Sequence, residues 1–188
     1  MDLGGLLKKE TRILGLSAPR KTHRKSIIGT VFRGRLWLDA IVTYVPDESK
    51  IGCVPGLAAA LHRTKQYSQI QAAIFSRENI LQHKYKDFRR LSKLVRFPVF
   101  VITKDPVTKL PKNEVARILL NKKRISLWIS DYNSQRAKEL YLLGCNKDQT
   151  LPEAVRVAEL IAEGLQQSSR TKGSGNLTSE WRKFWSRR

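Results

Sequence analysis

The segment Phe97-Pro98-Val99-Phe100-Val101-Ile102-Thr103 is apolar almost throughout. A strand with one wet face alternates polar and apolar residues, so a strand apolar on both sides must be covered on both sides. This segment therefore calls for an interior place in a sheet that carries helices on each face. That requirement points to the α/β class and frames the rest of the chain.

Residues 12–17 read as a short buried strand. Residues 26–32 and 35–45 are β-rich, and Gly34 between Arg33 and Arg35 marks a tight reversal, which predicts a hairpin. Leu36, Leu38, Ala40, Val42 and Tyr44 alternate as a half-buried strand should. Pro55 suits a first helical position, and a helix is expected over 56–65. A strand over 69–75 and a short basic helix over 87–95 follow. Pro111 is read as opening a helix to about Leu120, ahead of a late strand over 125–130. Asn133 caps a helix to about Leu143. Pro152 opens the last helix, to Leu165, with Val155, Ala158, Ala162 and Leu165 on one face. The order is an antiparallel meander of three strands, then alternating helices and strands in which further strands run parallel. It predicts a mixed sheet with helices on both faces. The expected divisions are an N-terminal extension (1–11), a folded domain (12–166) and a basic aromatic tail (167–188).

Charge constrains function. Lysine and arginine total 36 against 16 acidic residues, a net +20 over 188 residues. A folded domain this basic repels itself unless an anionic partner offsets the charge, and nucleic acid does so with release of condensed counterions. No apolar stretch approaches the roughly 18 residues that span a bilayer, and no basic amphipathic helix is evident, so a membrane partner is not expected. Cys53 and Cys145 stand far apart and read as reduced thiols of a cytoplasmic protein. Three histidines without ligand spacing do not support zinc.

Several segments carry a likeness. They are Arg12-Ile-Leu-Gly-Leu, Ile28-Gly29-Thr30-Val31-Phe32-Arg33-Gly34, the apolar strand at 97–103, Pro152-Glu153-Ala154-Val155-Arg156-Val157-Ala158-Glu159-Leu160-Ile161-Ala162, and Ser168-Ser169-Arg170. In this order the chain resembles an archaeal endonuclease V-like family of ribonuclease H-like fold, which includes deoxyuridine endonucleases. The resemblance runs from about Arg12 to Lys172. It implies a metal-assisted nuclease in which strand-end carboxylates hold Mg²⁺. This chain departs from that pattern. Leu16-Ser17-Ala18 stands where relatives carry Asp after the first strand, and Ser76-Arg77 stands where they carry Asp-Gly. Where a further acid is implied, Gly52 and then His62 occur. Asp87 is retained, with Arg77, Lys84 and Lys86 as cationic neighbours, and Asp47 and Glu48 align only after a shift. A degenerate member with no metal or other cofactor is therefore expected. The alternative is a Mg²⁺-dependent endonuclease for deaminated DNA using Asp87, Asp47 and Glu48.

The candidate phosphate contacts follow the cationic clusters: Arg20, Lys21, Arg24 and Lys25 after the first strand; Arg33 and Arg35 at the hairpin; Arg77; Lys84; and Lys86, Arg89, Arg90 and Lys93, spaced to share a helix face. Lys122, Lys123 and Arg124 form a further group, with Arg170 and Lys172 after the last helix. Trp181 and Trp185, interleaved with Arg182, Lys183, Arg187 and Arg188, can stack on unpaired bases or engage a protein partner. The expectation is a non-catalytic nucleic-acid binder. RNA is favoured over DNA, and ribosomal RNA is the concrete case.

Overall fold

The computed structural model describes residues 8–20, 26–46, 53–81, 83, 85–103, 111–130 and 132–171. Within them, β1 (Arg12–Ser17) lies between strands of opposite sense. It pairs antiparallel with β2 (Ile27–Arg33) and parallel with β4 (Ile70–Phe75). β3 (Trp37–Tyr44) completes the meander beside β2, after a turn at Gly34, which adopts φ 61° as the reversal requires. Beyond β4 come β5 (Val99–Thr103), β7 (Lys123–Trp128) and β6 (Val115–Leu120), giving the order β3-β2-β1-β4-β5-β7-β6.

The apolar segment at 97–103 supplies β5, and it is interior as expected. Val99 and Val101 face one core while Phe100 faces the other. α1 (Cys53–His62) and α2 (Tyr85–Val95) cover the first core through Leu57, Leu61, Phe88 and Leu91. α3 (Ser134–Leu143) and α4 (Glu153–Thr171) cover the second through Leu140, Tyr141, Ala154 and Val155. Asn133 caps α3, its side chain accepting from the Arg136 N–H at 2.9 Å. α4 seats closely on β1 because Gly15 has no side chain: a Cβ there would lie 2.2 Å from the Ala154 carbonyl carbon. Thr30 Oγ1 donates to the Ala154 carbonyl at 2.6 Å and ties the same helix to β2.

The structure corrects several expectations. The stretch after Pro111 is a 3-10 turn (Lys112–Glu114) followed by strand β6, not a helix. Asn121 and Lys122 both take positive φ, 52° and 62°, the pair that a tight two-residue hairpin turn needs. Ala116 and Ile118 are buried while Arg117 and Leu119 are exposed, so the period is two. β7 consequently runs antiparallel to β5, and among the described strands only β1 with β4 and β4 with β5 pair in parallel. α1 begins at Cys53, so Pro55 is its third residue. A missing N–H is harmless there, because first-turn N–H groups have no partner within the helix. Leu36 and Leu38 do not join Ala40, Val42 and Tyr44 on the inner face; Leu36 is 71% exposed. The register slips at Asp39, with Val31 opposite Ala40 but Phe32 opposite Leu38, and this bulge turns the face over. α4 extends to Thr171, and Leu165 is exposed because the helix outruns the strands beneath it. Gln166 already lies opposite Arg20, past the end of β1. Trp128 is fully buried, whereas Trp37 stands exposed on the edge strand.

Candidate nucleic-acid interface

In an open α/β sheet ligands bind outside the carboxyl ends of the parallel strands. Here that place is the adjoining ends of β1 and β4. Parallel pairing brings Ser17 and Ser76 together, and the Ser76 N–H donates to the Leu16 carbonyl at 2.9 Å. Both serines are buried, and the Ser76 hydroxyl donates to Ser17 Oγ at 3.0 Å. Each hydroxyl thereby satisfies the other in a site too dry to leave one unpaired.

Arg77 follows Ser76, half-buried, and donates through Nη2 to the Ala18 carbonyl. Burial lowers its pKa from the ordinary guanidinium value, and the charge of Arg20 lowers it further; Glu159 and Glu163 act the other way. Arg20 leans towards those two acids of α4, at 4.0 Å from Glu159 and 3.9 Å from Glu163. Its backbone N–H donates to Gln166 Oε1 at 3.1 Å. The strand ends thus hold two buried hydroxyls bonded to each other, followed in the chain by Arg77 and Arg20, with Glu159 and Glu163 of α4 against Arg20.

Asp87 is buried and spends its carboxylate on the start of α2, where Oδ2 accepts the His83 N–H at 2.9 Å. That is the reach-back of an acid in the first turn of a helix. His62 approaches the Leu94 carbonyl at 3.2 Å and rests on Tyr67. Among the described residues no three His, Cys, Asp or Glu side chains converge as metal ligands. A hard divalent cation needs several oxygen ligands of net negative charge. Two neutral hydroxyls, already bonded to each other, do not supply that set.

The remaining sequence candidates fall in separate places. Lys86, Arg90 and Lys93 are exposed on α2, but Arg89 turns aside and pairs with Glu114 at 2.7 Å. Glu114 also accepts from Trp128 Nε1 at 3.0 Å. Arg33 is drawn to Asp39 at 3.2 Å, the same acid that holds Arg12 at 2.8 Å, and Arg35 reaches the Cys145 carbonyl. Lys122, Lys123 and Arg124 are exposed at the β6–β7 turn. Lys21, Arg24, Lys25, Asp47, Glu48, Lys84, Lys172, Trp181, Arg182, Lys183, Trp185, Arg187 and Arg188 lie outside the described residues, as does the side chain of Arg170. Sequence reasoning did not anticipate the roles of Glu159, Glu163, Asp39 and Glu114. The four-residue spacing of Glu159 and Glu163, one turn apart on a helix, is the signal that could have found the first two.

The sheet order and the helices on both faces give the chain a ribonuclease H-like α/β fold. Among solved structures it shares the fold of endonuclease V from Bacillus subtilis, at TM-score 0.59, 11% identity, and 91% and 88% coverage of this chain and that one. Endonuclease V from Ciona intestinalis, solved with DNA containing an inosine, matches with TM-score 0.59, 12% identity, and 84% and 86% coverage. A protein of unknown function from Archaeoglobus fulgidus gives TM-score 0.65, 16% identity, and 82% and 97% coverage. In sequence the chain is similar to UPF0215 proteins of two archaea. That of Methanothermobacter thermautotrophicus is 25% identical, with 85% of this chain and 89% of the relative covered. That of Methanosarcina acetivorans is 23% identical, with 88% and 95% covered. No protein-family model matches the chain. Among the described residues no helix is long and apolar enough to cross a membrane.

Proposed function

We propose that this chain is a non-catalytic nucleic-acid-binding protein on a nuclease fold, cytoplasmic and without a metal cofactor. It binds structured RNA through phosphate contacts, and ribosomal RNA is the leading partner. The observation that carries this reading is the Ser17–Ser76 hydroxyl pair with Arg77 and Arg20 at the strand ends. Arg77, bonded among the described residues only to a carbonyl, disfavours a divalent cation there and favours a phosphate, while Glu159 and Glu163 offset the charge of Arg20. The net charge of +20 supports an extended polyanion as partner, and nuclease relatives of this fold act on nucleic acid. RNA is favoured because cationic groups are spread along most of the chain and the tail interleaves tryptophans with arginines, as suits a structured, partly single-stranded target.

The test has two arms. Purified protein is titrated with an RNA hairpin and with duplex DNA over a salt series, and incubated with Mg²⁺ and strands containing deoxyinosine or deoxyuridine. The reading expects steeply salt-dependent RNA binding and intact strands. Mg²⁺-dependent cleavage would overturn it in favour of an endonuclease. Deleting residues 173–188 tests the tail: weakened RNA binding assigns it to RNA, and unchanged binding assigns it to a protein partner.

A further inference from the structure

α2 carries the chain from the end of β4 back to the start of β5, so its last turns lie away from the strand-end site. There a pocket of about 280 Å³ opens between the flank of α2 and the loop that follows β7. Lys93 and Arg96 line it from the helix side, Ser130 and Tyr132 from the loop side, and Phe97 at its base.

Arg96 is the informative residue. It directly follows α2, in the left-handed region at φ 57°, and its N–H donates to the Ser92 carbonyl at 3.0 Å. That slot is ordinarily glycine, because a Cβ there carries a conformational cost. Across the pocket Ser130 also has a positive φ, 39°. Two non-glycine residues in strained backbone thus line one small cavity, a pattern typical of ligand sites. A helix C-terminus attracts cations on its own account. That accounts for Lys93 and Arg96; opposite them Ser130 Oγ accepts from Arg89 Nε at 3.5 Å, and the Tyr132 phenol bonds the Arg136 side chain, so both polar groups are held in place at the pocket wall.

The chemistry of the walls differs from side to side. Lys93 and Arg96 are exposed and supply positive charge to a phosphate. The Tyr132 ring is braced from behind by Phe100, at 5.4 Å between centroids, which leaves a half-buried aromatic surface for a base. Burial raises the Tyr132 pKa, and the charge and hydrogen bond of Arg136 act the other way. The volume is just below the usual range for ligand pockets, roughly 300–1,000 Å³, and suits one nucleotide and no more.

The geometry points to a pocket on the flank of α2 that takes one unpaired, phosphate-bearing nucleotide. This rests on the nucleic-acid reading above and adds to it a means of telling a free strand from a duplex, because a paired base cannot enter.

Three variants of the full chain test this: Lys93→Gln/Arg96→Gln, Arg96→Gly, and Lys122→Gln/Lys123→Gln, which removes the same charge elsewhere. The probes are a 5′-phosphorylated oligouridine of about eight nucleotides, a duplex RNA of the same length, uridine 5′-monophosphate and inorganic phosphate. The pocket double variant should lose about tenfold for the single strand and less than about twofold for the duplex. Uridine 5′-monophosphate should compete with the single strand on the wild-type protein better than phosphate does. Arg96→Gly should weaken single-strand binding while raising the urea midpoint, since it relieves the left-handed residue. Equal losses on both strands, matching the Lys122/Lys123 control, would refute the pocket and leave backbone binding intact. A wild-type protein that binds neither strand would instead sink the nucleic-acid reading. In that case the monophosphate alone decides the pocket: titration shifts at Ser130 and Tyr132 uphold it, and their absence refutes it.

Discussion

Replacing Arg77 with Gln removes the guanidinium at the strand ends and keeps a polar side chain of moderate length. In the free protein this group is half-buried, donates to Ala18 and sits beside the positive charge of Arg20. An arriving phosphate relieves that stress and gains a charge-assisted hydrogen bond, worth about 1.5–3 kcal/mol. The variant should therefore bind RNA about 10- to 150-fold more weakly, taking 1.4 kcal/mol per decade. One lost phosphate contact should also flatten the slope of log affinity against log salt by about 0.9. An exposed cation such as Lys122 is screened by water, and its replacement should cost less than about 1 kcal/mol. Folding stability should change little, because the lost bond to Ala18 is offset by removal of a partly desolvated charge. Fluorescence anisotropy with a labelled RNA hairpin, from low to moderate salt, measures both affinity and slope, and urea denaturation followed by circular dichroism checks the fold. Affinity within twofold of wild type at every salt concentration would refute the reasoning. So would a loss of affinity no larger than that of Lys122→Gln.

Gly15→Ala should destabilise the domain by about 3 kcal/mol or more, since the new Cβ meets α4 backbone atoms at 2.2–2.3 Å that no side-chain rotation can move; chemical denaturation reads this directly. Asp39→Asn should cost about 2 kcal/mol by weakening the bonds to Arg12 and Arg33, visible as a lower Tm, and a change within error would mean both arginines find water instead. Burial pushes the Cys145 thiol up to about 12 from an ordinary 9.0, so the folded state keeps the proton that the unfolded state releases. Its contribution is complete below about pH 9 and is lost as pH rises towards 12. Cys145→Ala should therefore flatten, but not abolish, the alkaline loss of stability in pH-dependent urea melts, because buried Tyr141 is also shifted upward.

Local pattern alone determined much of this molecule. An apolar run specified β5 and its two covered faces, Gly34 specified the first hairpin, and Asn133 the start of α3, because each depends on residues near in sequence. The excess of cations, and with it the class of partner proposed, is likewise a property of composition. Other features exist only after distant segments meet. Ser17 and Ser76 are 59 residues apart and become a bonded pair only because β1 and β4 lie side by side. Arg33 and Arg89, cations like any other in the sequence, are taken up by Asp39 and Glu114 once the chain is folded. Val115–Leu120 is short and mostly apolar, a composition that helix and strand share, and pairing with β7 decides between them. The pocket beside α2 joins the end of a helix to a loop more than thirty residues further on. Close packing sets such a juxtaposition, and no periodicity along the chain encodes it.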